Sequence, residues 1–428
     1  MNLSLKKYLL NFSSYLTYLI PFALLTGPFL PDLFLSVVCL IFIFISVKEK
    51  EFKYFQNNFF LFFLLFVFIL LISSLSSASI YFSLKTSLTY FRFGLFSLAV
   101  WFLIENKKNF IKYFTIIFVI TFTIALFDGY FQYFYGQSIF GISNINHNVR
   151  LNLMLNDKLI LGGYLARLFP LLMALIIYNY DSKNKYYYFF IGILIILTDS
   201  LVYMTGERTA LGLMFLTTLF IIFFMNKLRT LRILTFFISM TVIILISISN
   251  PSIKERNIDQ TFDQIGIQGS EKNLFSPVHD RYYRGAWNMF MHFPILGVGP
   301  NNFRNLCGEK EYAVVERIDF ACSTHPHNTY IQLAAETGII GLLAILIILI
   351  YLYIKIFRHF LSLFNKSKYG LSDYQICLLG CFFLTLWPIL PTQNLFNNWI
   401  NIIYYLPVGF YLHSIYSKKK LTDDTKII

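Results

Sequence analysis

Apolar runs of about eighteen residues or more, long enough to cross a membrane, recur from one end of this chain to the other. FFLFFLLFVFILLI at 59–72 and GIIGLLAILIILIYLYI at 338–354 are the uninterrupted apolar parts of two of them. Each such run spans a hydrocarbon core of about 30 Å as a helix. Lipid offers the backbone no hydrogen bonds, so a spanning segment must satisfy its own N–H and C=O groups. Only 13% of the 428 residues are charged, against about 25% in a soluble globule. The chain therefore reads as an all-α polytopic membrane protein. Its formal charge of +13 bears first on how the helices are oriented, and no nucleic-acid partner is expected.

The pattern predicts about twelve transmembrane helices, at 9–26, 29–47, 59–78, 87–104, 111–133, 160–180, 186–204, 208–225, 233–250, 333–354, 373–392 and 398–416. The polar connectors alternate in charge. One side collects Lys6, Lys7, Lys48, Lys50, Lys53, Lys107, Lys108, Lys112, Lys183, Lys185, Lys227, Arg229 and Arg232. It also collects Lys355, Arg358, Lys366, Lys368, Lys418, Lys419, Lys420 and Lys426, which makes 21 of the 35 basic residues. The positive-inside rule makes that side cytoplasmic, with both termini inside. The first apolar run follows Lys6 and Lys7 without a cleavable signal pattern and is expected to stay as the first span. The expected organisation is nine spans over 1–250, a long periplasmic loop over 251–328 containing short amphipathic helices, three spans over 329–417, and a cytoplasmic tail over 418–428. That loop carries Lys254, Arg256, Lys272, Arg281, Arg284, Arg304, Lys310 and Arg317. Long loops are exempt from the charge rule, but these cations still need a role.

Cys39, Cys377 and Cys381 fall in predicted spans and read as small core residues. Cys307 and Cys322 lie in the long loop. They either pair there, which in an oxidising compartment stabilises by about 3 kcal/mol, or stand as two free thiols. No His/Cys spacing points to a metal, and no phosphate-binding glycine loop points to a nucleotide, so no cofactor is expected.

Three segments could carry chemistry. HPHNTYIQLAAETGIIG, 325–341, sets His325, His327 and Asn328 before a helix. Thr329 and Gln332 have capping-box spacing, and Gly338 and Gly341 would permit close packing. The positive end of the helix dipole favours a neutral imidazole, which suits a general base. The bland alternative is that His327 and Asn328 only cap the helix. GERTA, 206–210, puts Arg208 at the start of a helix, where a cation opposes the dipole and calls for an anion. Glu207 adjoins it but does not face it on a helix, which leaves an interhelical ion pair or a bound phosphate. DRYYRGAWNMFMHFPILGVGPNNFR, 280–304, places Arg281, Arg284 and Asn288 at helical spacing, with Tyr283, Trp287 and Phe290 for an apolar face. This is either a surface helix anchored by its aromatics or part of a site. Arginines that hold a diphosphate, with a histidine that deprotonates a hydroxyl, make a coherent transferase.

These segments, in this order, resemble the O-antigen ligase/polymerase family of bacterial envelope glycosyltransferases. The matching pieces are GERTA, PILGVGPNNF and His327-Asn328 followed by Gly338 and Gly341. RLNLMLNDKLILGGYLARLFP resembles the family's central region. The resemblance implies a metal-independent transferase in the bacterial inner membrane with its site facing the periplasm. The donor would be a glycan on undecaprenyl diphosphate. The acceptor would be the lipid A-core for a ligase, giving lipopolysaccharide, or another lipid-linked glycan for a polymerase. By position, His327 would be the base, and Arg208 with Arg281 or Arg284 would hold the diphosphate. His325, Asn328, Arg304 and Arg167 are supporting candidates, and Glu336 would orient a neighbour or pair an arginine. A transporter or flippase is the third reading. It expects polar residues at mid-membrane and a repeat, whereas the notable residues here cluster at one face and no repeat is evident.

Overall fold

The computed structural model describes residues 1–143, 149–155, 158–179, 185–264, 275–314, 322–365 and 370–424. Lys183, Lys272, Arg317, Lys366, Lys368 and Lys426, noted above for their charge, lie outside the described residues. The chain is all-helical, and among the described residues the one strand-type contact is an isolated bridge between Gln137 and Ser143. Nine helices are α1 (Leu3–Ala23), α2 (Phe29–Glu49), α3 (Asn58–Leu75), α4 (Ile80–Asn106), α5 (Phe110–Tyr135), α6 (Leu161–Tyr178), α7 (Lys185–Met204), α8 (Arg208–Phe224) and α9 (Arg229–Ser249). Shorter elements follow: α10 (Pro251–Lys254), α11 (Gln260–Gln264), α12 (Pro277–His292) and α13 (Phe303–Leu306). The chain ends with α14 (Thr329–Asn365), α15 (Asp373–Thr385) and α16 (Asn398–Asp424). Among the described residues nine helices are long and apolar enough to cross a membrane, while α8 and α15 are apolar but shorter.

The central helix is α6, with every residue of 161–177 buried except the half-buried Arg167. It packs against α8 and α15, while α4 packs against α2, α3 and α16. By contrast α9 buries only Arg232, Thr235 and Ser239 and presents the rest of its apolar surface outward, as a lipid-facing helix does. Arg232, counted above among the connector cations, is thus a buried residue. It lies 2.6 and 3.0 Å from the two oxygens of Asp199 on α7, and Ser239 donates to the same carboxylate at 2.8 Å. A cation buried this deeply needs a partner with satisfied hydrogen bonds, and this one ties α7 to α9.

Two expected spans are interrupted. The apolar run of 373–392 is helical only to Thr385. Trp387-Pro388 and Pro391 follow, and proline removes a backbone donor and clashes with the preceding turn. Irregular backbone at such depth is tolerated only where protein covers it or it lines a cavity. The second interruption is at Gly338, whose φ of 64° and ψ of −163° break α14 after two turns. The gap is filled by the PILGVGP segment. Ile339 N–H donates to Pro294 O at 2.8 Å, Val298 N–H to Ala335 O at 2.9 Å, and Gly299 N–H to Glu336 O at 3.0 Å. Ser73 at the end of α3 closes the joint from outside, donating to Leu296 O at 2.7 Å and lying 2.9 Å from Glu336 O. Gly338 therefore serves a backbone crossing, where helix–helix packing was expected. The tail expected from 418 continues as helix α16 to Asp424.

Candidate active site

The turn before α14 is built by its cap and by the irregular segment after α15. Asn328 Oδ1 accepts the N–H groups of Tyr330 (3.0 Å) and Ile331 (3.2 Å), two of the donors a helix start leaves open. The expected capping box does not form. Gln332 turns inward instead and donates to Glu336 (2.9 Å) and Asn394 (2.7 Å). Thr392 N–H donates to His327 O at 2.8 Å, and Asn328 Nδ2 donates to Pro388 O at 2.9 Å. These bonds hold His327 with φ at 60°, a left-handed conformation uncommon for residues other than glycine.

The two histidines of HPHN have different environments. His325 is 4% exposed, and its Nε2 lies 3.1 Å from Thr392 O. A carbonyl oxygen only accepts, so Nε2 carries the proton and Nδ1 accepts from the Thr324 hydroxyl at 3.0 Å. With both nitrogens engaged, His325 is a strut, and burial followed by the neighbouring His327 holds its pKa down to about 3. In His327, Nε2 lies 3.1 Å from Ser323 Oγ. Its ring stacks on Tyr282 at 5.8 Å, meets the edge of His279 at 5.4 Å and lies 4.0 Å from the His325 ring, all between centroids. Burial and then His279 lower its pKa to about 4, so the imidazole is neutral at pH 7 and able to take a proton. The sequence argument credited the helix dipole, whereas burial is the larger cause.

GERTA forms the opposite wall. Gly206 has φ of 64°, and a Cβ there would stand 1.9 Å from Val149 O, so glycine is required. Glu207 points away from Arg208, accepting the N–H groups of Gly162 (2.7 Å) and Gly163 (3.1 Å) at the start of α6. Burial raises its pKa to about 7 against the pull of Arg150 and Arg167. Arg208 Nη1 donates to Gln264 at 2.8 Å, and Arg150 is close enough to repel it. Arg256 Nε donates to Gly206 O at 2.9 Å. Its pKa is lowered by burial, then by Arg150 and Arg208. Three guanidinium groups thus share one neighbourhood with a carboxylate already committed to backbone donors. Such a cluster favours an anion of more than one charge. His279 joins the two walls, since it touches His327 and feels the charge of Arg208.

The remaining candidates are scattered around this pair of walls. Arg281 is half-buried on α12. Arg284 is exposed, pairs with Asp280 at 2.9 Å, and lines an open groove of about 400 Å³ with Phe275, Trp287 and Ile331. Of the aromatics expected to form an apolar face on α12, Tyr283 is buried with Ala286 and Met289, while Trp287 is exposed. Arg304 donates to Asn301 at 2.8 Å, and Arg167 to Gly163 O of its own helix at 3.3 Å. Glu336 accepts Phe303 N–H at 2.9 Å and so orders the turn after PILGVGP. Cys307 and Cys322 are joined as a disulfide with Cα atoms 5.2 Å apart, one residue before Ser323.

Sequence reasoning passed over His279 and Arg150, and noted Arg256 only as one of the loop cations. His279 precedes the DRYYR motif by one residue, and Arg150 opens the RLNLMLND segment, so both stood at the edge of stretches already singled out. The O-antigen ligase family model matches residues 191–346, which take in GERTA, α12, PILGVGP and HPHN. No curated protein matches the chain.

Proposed function

We propose that this chain, whose residues 191–346 carry an O-antigen ligase family domain, transfers a glycan from undecaprenyl diphosphate to a sugar hydroxyl of the lipid A-core. In this reading it crosses the bacterial inner membrane twelve times, keeps both termini in the cytoplasm and opens its site to the periplasm. One observation carries the proposal: a half-buried, neutral His327 and an arginine cluster centred on Arg208 meet across His279. A disulfide beside the site is in keeping with an oxidising compartment.

The chemistry follows from the charges. His327 takes the proton of the acceptor hydroxyl as its oxygen attacks the anomeric carbon. The bond from that carbon to the phosphate oxygen breaks, and its electron pair leaves with the lipid diphosphate. Arg208, Arg256 and Arg150 offset the growing charge on the diphosphate, where fixed cations act most strongly. Arg281 or Arg284 on α12 would assist them; Arg281 is half-buried, and Arg284 is exposed and pairs with Asp280. No metal or nucleotide enters this scheme.

The surface glycan of a strain lacking the protein tests the proposal. Free lipid-linked polymer with bare core is the expected outcome, whereas single repeats capping the core would instead make the enzyme a polymerase. Arg208 provides a finer test. Arg208→Lys keeps the charge but loses the planar fork that matches two phosphate oxygens. It should fall by about a hundredfold in kcat, close to Arg208→Ala. Wild-type turnover in Arg208→Lys would mean that a plain positive charge suffices.

A further inference from the structure

We propose that His279 is an acting residue of this site, whose Nε2–H donates to the phosphate oxygen that carries the departing sugar. The inference rests on the transferase reading above and deepens it.

The argument begins with the helix cap. Ser276 caps α12, and its Oγ accepts His279 N–H at 3.4 Å. The same Oγ lies 2.7 Å from His279 Nδ1. That oxygen already accepts one backbone N–H, and in this proposal its own hydrogen is donated to Nδ1. The proton of the ring is then on Nε2, on the far side from the cap. The ring is held in place as well. It stacks on Tyr283 at 6.1 Å with 26° between planes, meets Tyr282 at 6.4 Å, and stands edge-on to His327 at 5.4 Å.

The charged and titratable neighbours from each side are Tyr282 and Tyr283 on its own helix, His325 and His327 from the turn before α14, and Arg208 at the start of α8. Burial, then Arg208, lowers the His279 pKa, so it stands there as an uncharged donor. This is the useful form between a cation and a base. A second positive charge would repel Arg208 and weaken its hold on the diphosphate. It would also discourage His327 from taking a proton. A neutral N–H does neither, and its hydrogen bond strengthens as charge builds on the leaving oxygen. His279 transfers no proton in this step. The acceptor's proton goes to His327 and from there to water, and the phosphate oxygen leaves with the electron pair of the broken bond.

The test uses the purified full-length protein in detergent, with undecaprenyl-diphosphate-linked glycan as donor and lipid A-core as acceptor. A glutamine amide can place an N–H where Nε2–H stands, and an asparagine amide places it nearer Nδ1. His279→Asn should lose about a hundredfold in kcat with little change in KM, and His279→Gln should recover at least tenfold of that. Ser276→Ala frees the tautomer and should lower kcat severalfold. Equal losses in the Asn and Gln variants would reduce His279 to packing and overturn the inference. So would wild-type turnover in His279→Asn beside an inactive Arg208→Ala. Full transfer by Arg208→Ala would overturn the site itself, and this inference with it.

Discussion

Substituting His327 by asparagine is expected to end glycan transfer while the protein still inserts and folds. The backbone there has φ of 60°, which asparagine tolerates better than most residues. His327→Asn therefore keeps the carbonyl that accepts from Thr392 and removes only the ring. His327→Ala should be equally inactive, with an added strain of about 1–2 kcal/mol from the left-handed backbone. A positioned general base contributes about 10²–10⁴ in rate, and the loss should fall in that range or beyond it. The pH profile provides an independent check. Burial lowers the His327 pKa to about 4, so the base form persists as pH falls from 7. Protonation removes it only near that value, and the acid limb of kcat/KM should lie near pH 4 and not near the free-histidine value of about 6.5. Normal transfer by His327→Asn would remove this residue from the mechanism.

Gly338→Ala should be the most damaging small substitution outside the site. A Cβ at this position would stand 2.2 Å from Ile295 O, 2.3 Å from Ile295 C and 2.7 Å from Leu296 N, all backbone atoms with no rotamer to escape into. The backbone angles themselves lie in a region that is essentially glycine's alone. The chain must separate, and the three bonds that join 294–299 to 335–339 go with it, each worth about 1 kcal/mol. Strain and lost bonds together predict a cost on the order of 3 kcal/mol or more, with transfer lost as PILGVGP moves. Gly192→Ala is the control. Its added Cβ would meet only side chains, at 3.5 and 3.7 Å, which is ordinary contact. Thermal unfolding of the two variants in the same detergent distinguishes them, and an unshifted Gly338→Ala would reject the crossing.

Helix positions were legible because hydropathy acts locally, and every apolar run predicted to span overlaps a helix, although that at 373–392 is helical only to Thr385. Interruptions were less legible. The run from Gly338 onward is continuously apolar and holds no proline, and only the fit of Gly338 to a segment forty residues earlier reveals the break. At 373–392 the prolines were visible, but composition outweighed them. Within the site, GERTA and HPHN stood out as polar islands beside apolar helices. The sorting of His325 from His327 did not, since it depends on Thr392 O, sixty-seven positions away from His325. His279 was missed because one histidine at a helix start carries no signal until its neighbours are known.

The clamp from α15 onward has a consequence for how this protein can be divided. The matched stretch ends at residue 346, but the turn that carries His327 is tied to Pro388 and Thr392, and the joint at Glu336 is closed by Ser73. A transplant of 191–346 into another scaffold would bring Arg208, Arg256, His279 and His327 but leave behind Arg150 and the bonds that hold the histidine turn. Chimeras between related chains should therefore be cut so that 70–80, Arg150 and 386–395 travel with the histidine turn. The site can then be exchanged as a set of distant strips of sequence, and not as one block.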